Sequence, residues 1–124
     1  MKNIIYLACP YTDVDTGVRL ERFEIATSVA ASLIQRGLIV FSPITMTHPI
    51  DIVLAGSAGT LGSDFWVRFD EAFMDACSEM LIVDINGWKN SEGIKREVKY
   101  FSDSKKRIRL ISPSGDIGIS IEKI

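Results

Sequence analysis

Asn3-Ile4-Ile5-Tyr6-Leu7-Ala8-Cys9-Pro10-Tyr11-Thr12 is a short apolar run of β-branched and aromatic residues closed by Cys9-Pro10, the composition of a buried strand followed by a loop. Over residues 18–36 the apolar positions Leu20, Phe23, Ala26, Ala30, Leu33 and Ile34 recur at helical spacing, and Gly37 stands where a helix stops. Residues 38–41 form a second apolar strand that Ser42-Pro43 ends. Strand, helix and strand in that order imply a right-handed parallel crossover.

The pattern continues outward. Residues 44–63 have no clean period, hold Pro49 and three glycines, and read as a loop longer than compact domains usually carry, hence a functional or mobile one. Phe65, Phe69, Phe73 and Met74 place a second helix over residues 64–77, with Ser63 or Asp64 able to cap it. A third core strand covers residues 80–85. The turn Asn86-Gly87-Trp88-Lys89-Asn90 leads into a helix that begins near Ser91 or Glu92 and runs to about Ser102. Residues 107–111 read as a fourth strand, and alternating Ile117, Ile119 and Ile121 as a fifth, at the edge. The expected architecture is a single α/β domain over residues 1–124, doubly wound and Rossmann-like or flavodoxin-like. It has a mostly parallel sheet of about five strands with helices on both faces.

Composition narrows the function classes. The 124 residues are 47% hydrophobic and 24% charged, enough for one core and too few for two ordinary domains. A net charge of -2 offers no positive field for a phosphate backbone, which argues against nucleic acid as a partner. Cys9 and Cys77 form no CxxC pair and His48 is the one histidine, so neither a zinc site nor a disulfide framework is indicated. No apolar run approaches the roughly 20 residues of a membrane helix. Leu7-Ala8-Cys9 has the look of a lipoprotein cleavage box, but the apolar stretch before it is shorter than the about 7 to 15 residues of a signal core. No membrane association and a cytoplasmic location are expected.

In a doubly wound sheet ligands bind beyond the carboxyl ends of the strands, where strand order reverses. This selects residues 9–16, the long segment after the second strand, and residues 84–93. Pro10 and Tyr11 in the first, His48 in the second, and Asp84 and Trp88 in the third are candidate substrate contacts. Ser91, Gly93 and Glu97 span a loop-to-helix junction whose backbone amides can hold an anion or a sugar oxygen. On spacing alone the same residues also read as an N-cap, Asn90 or Ser91, followed by a solvated glutamate.

Tyr6-Leu7-Ala8-Cys9-Pro10-Tyr11, Asp70 in the second helix, and Gly87-Trp88-x-x-Ser91-x-Gly93-x-x-x-Glu97 together resemble the nucleoside 2-deoxyribosyltransferase-like superfamily. The nearer resemblance is to a small branch, a domain of unknown function, with a Tyr-Leu-Ala-Cys-Pro-Tyr or Tyr-Leu-Ala-Gly-Pro-Tyr signature. The likeness runs over residues 4–99. It implies Glu97 as the nucleophile that attacks the anomeric carbon, Asp70 as the group assisting protonation of the leaving base, and Tyr6 as the residue orienting the nucleophile. Cleaving an N-glycosidic bond passes through an oxocarbenium-like state, which one carboxylate captures while another acid protonates the departing nitrogen. The two carboxyls then need different environments: Glu97 ionised, and Asp70 protonated beside Phe69 and Phe73.

Serine at position 91, where transferases acting on free deoxynucleosides tend to carry an acid, matches the relatives that hydrolyse deoxynucleoside 5'-monophosphates. A hydroxyl can donate to phosphate, and Arg19 and Arg22 could supply charge. Cys9 stands where better-known members use glycine, and reads as a small buried residue. Trp66 and Trp88 are candidates for stacking on a base or for packing. Lys105, Lys106, Arg107 and Arg109 read as a solvated strand approach. The resemblance calls for no metal and no organic cofactor, a small-molecule nucleoside or nucleotide as ligand, and a homo-oligomer with the active site near the subunit interface. The expected activity is N-glycosidic bond cleavage, as hydrolase or deoxyribosyltransferase; the alternative is a non-catalytic nucleotide-binding sensor or scaffold. The Pro-Gly-Gly-x-Gly-Thr-x-x-Glu segment of lysine-decarboxylase-like phosphoribohydrolases does not occur.

Overall fold

A computed structural model of the chain describes residues 3–55 and 61–121. The element order is β1 (Ile4–Ala8), α1 (Thr16–Gln35), β2 (Ile39–Phe41), α2 (Pro43–Ala55), α3 (Ser63–Ala76) and β3 (Glu79–Val83). A 3-10 turn (Trp88–Asn90), α4 (Glu92–Asp103), β4 (Arg107–Ile111) and β5 (Ile117–Ser120) complete it. The five strands form one sheet in the order β2-β1-β3-β4-β5. Every pairing is parallel except β4 with β5. This is the flavodoxin-like order with an antiparallel edge strand, and it reverses between β1 and β3.

Period-two alternation along β1 divides the core. Ile5, Leu7 and Cys9 face Ala26, Val29, Ala30 and Leu33 of α1, with Ile44 of α2. Tyr6 and Ala8 face the opposite layer, with Met74 of α3 and Ile94 and Phe101 of α4. Helices therefore cover both faces, as expected. On α1 the buried stripe is narrower than the spacing suggested: Leu20 and Ile34 are exposed. Asp15 caps α1 by accepting from the Gly17 amide at 2.8 Å, and Gly37 takes φ 87° just past its end.

Three expectations are corrected. Residues 43–55 are a helix, not an aperiodic loop, and residues 56–60 lie outside the described residues. Pro43 closes β2 and also occupies the first helical position, where its missing N–H costs nothing. Pro49 sits inside α2, and that residue together with the helix's near-continuous apolar composition hid the period. At α3 the cap position falls on Gly62, without a side-chain cap bond, rather than on Ser63 or Asp64. The basic strand approach is not uniformly solvated. Arg107 and Arg109 reach Glu79 at 3.0 and 2.7 Å, and Lys106 Nζ donates to the Met74 carbonyl at 3.0 Å. Among the described residues no helix is long and apolar enough to cross a membrane.

Glu79 has a 5% exposed side chain at the end of the sheet opposite the strand carboxyl ends. Burial pushes its carboxyl up, but bonds from Arg109, Arg107 and Asn3 outweigh this and hold it below its ordinary 4.5. Its contribution is full above pH 4.5 and is lost as pH falls through the depressed folded value. Glu79→Gln is expected to lower stability by about 1–2 kcal/mol at neutral pH. In urea unfolding across a pH series, the gap to wild type should close in acid.

Candidate active site

A cleft of about 370 Å³ opens at the carboxyl end of β1, beside the reversal of strand order. Four segments wall it. The β1–α1 loop contributes Cys9, Tyr11 and Thr12, and α2 contributes Pro43, Ile44, Thr47 and Asp51. Leu61 and, from α3, Trp66 and Asp70 form the third wall. Ser91, Gly93, Ile94, Arg96 and Glu97, at and within the first turns of α4, form the fourth.

Glu97 occupies the core stripe of α4 between Ile94 and Phe101, and is 9% exposed. The solvated reading of this glutamate is therefore overturned. Tyr6, fully buried, donates its hydroxyl to Glu97 Oε2. The tyrosine ring is held between Phe41 and Phe101, at centroid distances of 6.0 and 5.5 Å, so it is both a core aromatic and a hydrogen-bond donor. Burial raises the Glu97 carboxyl to about 7; the Tyr6 bond lowers it, the Asp70 charge raises it, and Arg96 lowers it.

Asp70 projects from α3 with its Oδ1 buried and, among the described residues, without a hydrogen-bond partner. Desolvation raises it to about 6, against a lowering by Arg96. An aromatic ladder supports this helix: Phe41 stacks on Phe73 at 4.2 Å, Phe73 lies 5.1 Å from Phe69, and Phe69 lies 5.4 Å from Trp66 at the cleft wall. Burial thus raises both carboxyls toward neutrality, and the charge on Asp70 adds to the rise at Glu97.

Ser91 is the N-cap of α4, its Oγ accepting from the Ile94 amide at 3.2 Å, and it also lines the cleft. A Cβ on Gly93 would meet Arg96 Nη2 and Ser91 Oγ at 3.8 Å, ordinary contact distances. The protein's own packing does not require glycine there; its absent side chain leaves the cleft wall open.

Of the other sequence candidates, all but Cys9 and Tyr11 stand apart from the cleft lining. Arg19 donates to the Asp13 carbonyl at 2.9 Å and Arg22 to that of Thr12 at 3.3 Å, tying down the β1–α1 loop. Trp88 is buried against the Tyr6 layer and donates Nε1 to exposed Asp84 at 3.0 Å. Pro10 is buried at the end of β1. His48 is buried on α2, stacked on Phe23 at 4.4 Å, with Nδ1 2.6 Å from Tyr11 Oη. It reaches the cleft only through Tyr11. Cys9 lines the cleft with burial pushing its thiol up to about 12, which leaves it inert.

Sequence reasoning missed Arg96, Thr47 and Asp51. The last two follow from the unrecognised α2, on which they sit one helical turn apart. For Arg96 the available signal is its place beside a glutamate that interrupts the apolar stripe Ile94, Val98, Phe101.

Fold and cleft define a flavodoxin-like α/β protein with a carboxyl pair at its topological switch point. The chain belongs to the family described as Domain of unknown function (DUF1937), whose sequence profile matches residues 3–112. No curated protein matches it in sequence. Among solved structures it is similar to a 2-deoxyribosyltransferase from the psychrotolerant bacterium Bacillus psychrosaccharolyticus. The TM-score is 0.62 and the identity 18%, over 94% of this chain and 77% of that one. At this identity the likeness is one of fold.

Removing the Tyr6 hydroxyl takes away the interaction that lowers the Glu97 carboxyl while leaving its burial. Tyr6→Phe should therefore move the Glu97 titration upward from about 7, as read by carbon NMR of labelled glutamate carboxyls.

Proposed function

We propose that this chain cleaves the N-glycosidic bond of a nucleoside or nucleoside 5'-monophosphate, with Glu97 as nucleophile. The observation carrying the reading is the Glu97 carboxyl, buried at the cleft and held by the Tyr6 hydroxyl, with Asp70 sharing the same space. Similarity of fold to a 2-deoxyribosyltransferase supports it.

In this scheme ionised Glu97 attacks the anomeric carbon and forms an ester to the sugar, while the C–N bond electrons leave with the base. Protonated Asp70 supplies the proton that the departing nitrogen takes. Water, or the nitrogen of an acceptor base, then displaces Glu97, passing its proton to the ionised Asp70 and freeing the Glu97 carboxylate. The Tyr6 bond fixes the nucleophile before reaction, which reduces reorganisation. Trp66, on the same helix as Asp70 and one turn before it, is suited to stack on the base. Ser91 and Arg96 favour a substrate with a 5'-phosphate, since a hydroxyl and a guanidinium both donate to it. The scheme draws on carboxyls and a phenol and calls for no metal or organic cofactor.

Glu97→Ala should abolish base release from deoxynucleosides and their monophosphates, assayed by HPLC with and without an acceptor base. Undiminished release would overturn the nucleophile assignment. If wild type releases no base yet a monophosphate raises its melting temperature, the binding-module reading takes its place.

The scheme needs Glu97 ionised and Asp70 protonated, which with Glu97 at about 7 and Asp70 at about 6 is the minor of the two singly protonated forms of the pair. In the free enzyme, kcat/KM should rise up to the lower of these values, level between them, and fall above the higher. Asp70→Asn should lower the rate and remove the alkaline fall.

The proposed homo-oligomer has a surface to use. Met46, Ile50 and Val53 form an exposed apolar stripe along α2. Light scattering after size exclusion should give more than one protomer per particle, and Val53→Lys should reduce that number.

A further inference from the structure

Tyr11 and His48 form a hydrogen-bonded couple on the wall of the cleft away from α4, and the scheme above uses neither. His48 is 6% exposed, its ring face covered by Phe23, and its Nε2 is buried without a hydrogen-bond partner among the described residues. Its Nδ1 lies 2.6 Å from Tyr11 Oη. A neutral imidazole carries one hydrogen, and the surroundings decide which nitrogen has it. An orphaned buried N–H is rarer than an under-used acceptor, so the hydrogen belongs on Nδ1 and Nε2 keeps a lone pair against the apolar wall. His48 then donates to Tyr11 Oη, and the Tyr11 hydroxyl hydrogen remains available for the cleft.

Burial raises the Tyr11 hydroxyl above its ordinary value, the Asp51 charge raises it further and Arg19 lowers it, so the phenol stays protonated. Tyr11 as a donor and Asp51 as an acceptor line one wall, with the hydroxyls of Thr12 and Thr47 beside them. A donor and an anionic acceptor together suit a group that both accepts and donates, which a hydroxyl does. A phosphate or a carboxylate would meet repulsion from Asp51. Arg96, the cation among the residues lining the cleft, belongs to the α4 wall instead.

We infer that Tyr11, oriented by His48, is the specificity-determining donor to a hydroxyl on the sugar of the substrate, with Asp51 accepting from the same hydroxyl. The inference rests on the nucleoside reading and deepens it. The 3'-hydroxyl is the one that every 2'-deoxynucleoside and ribonucleoside retains beside its 5' substituent, so it is the group this wall recognises. The sugar then lies with its hydroxyl edge toward the β1–α1 loop and α2, and its 5' end toward Ser91 and Arg96.

The test compares wild type and Tyr11→Phe on a 2'-deoxynucleoside and on the 2',3'-dideoxynucleoside with the same base. With wild type, loss of the 3'-hydroxyl should lower kcat/KM by roughly 10- to 100-fold. Tyr11→Phe should lower kcat/KM on the 2'-deoxynucleoside by no more than that factor, since the Asp51 contact remains, and change little on the dideoxy compound, which already lacks the hydroxyl that Tyr11 holds. Two penalties that multiply, or a dideoxy compound cleaved as fast as its parent by wild type, would overturn the inference. The wild-type comparison stands if Tyr11→Phe fails to fold. If wild type releases base from neither compound nor from their 5'-monophosphates, the nucleoside-cleavage reading fails by itself. Calorimetric titration of the same two compounds into both proteins then reads the contact directly, and equal affinities throughout would overturn it.

Discussion

A carboxylate buried in a protein core is costly unless something holds it, and here one phenolic hydroxyl does so. Tyr6 stands at the middle of β1, on the side where alternation along the strand points it at α3 and α4. Glu97 stands on the one stripe of α4 that faces the sheet. Their hydrogen bond satisfies the tyrosine and the glutamate together. It also fixes how α4 sits over β1, since a helix turned by one residue would aim Arg96 or Val98 at the hydroxyl. The phenol in turn is fixed by Phe41 and Phe101, so strand, helix and aromatic layer are bound to the same geometry.

Around that interaction the cleft has a gradient of character. The α3 wall is aromatic with one unpartnered carboxyl oxygen, the α4 wall is open and cationic at Arg96, and the α2 wall carries hydroxyls and Asp51. Burial raises both central carboxyls, and Arg96 opposes it at both. The guanidinium therefore keeps two acids in one cleft within reach of ionisation near neutral pH. The arginines expected to supply charge from the β1–α1 loop are spent on the carbonyls of Thr12 and Asp13 instead. They stiffen the loop that carries Tyr11 and leave Arg96 to meet whatever anion enters.

How far the site could be read in advance varied with the range of the interaction that defines it. Ser91 was legible because a cap is local: the hydroxyl reaches an amide three residues on. Glu97 and Asp70 were singled out by resemblance, and spacing alone allowed a solvated glutamate. The helix over residues 43–55 was not legible, since Pro49 and an apolar composition on every side erase the polar face from which a period is recognised. With it went Thr47 and Asp51. By sequence His48 reads as a loop residue near a ligand, whereas packing against Phe23 buries it and gives it Tyr11 to hold.

The amino-acid sequence by itself determined the alternation of strands and helices, the parallel crossover, the two-sided core and the cap of α4. These follow from periodicity and from contacts within a few residues, which backbone geometry dictates. Only the tertiary structure decided which carboxyls meet, which arginine faces them, and which tyrosines touch the cleft. Those outcomes depend on pairs separated by tens of residues, Tyr6 with Glu97 and Tyr11 with His48. Their encounter is set by the order of strands in the sheet and by the packing of helices on its two faces.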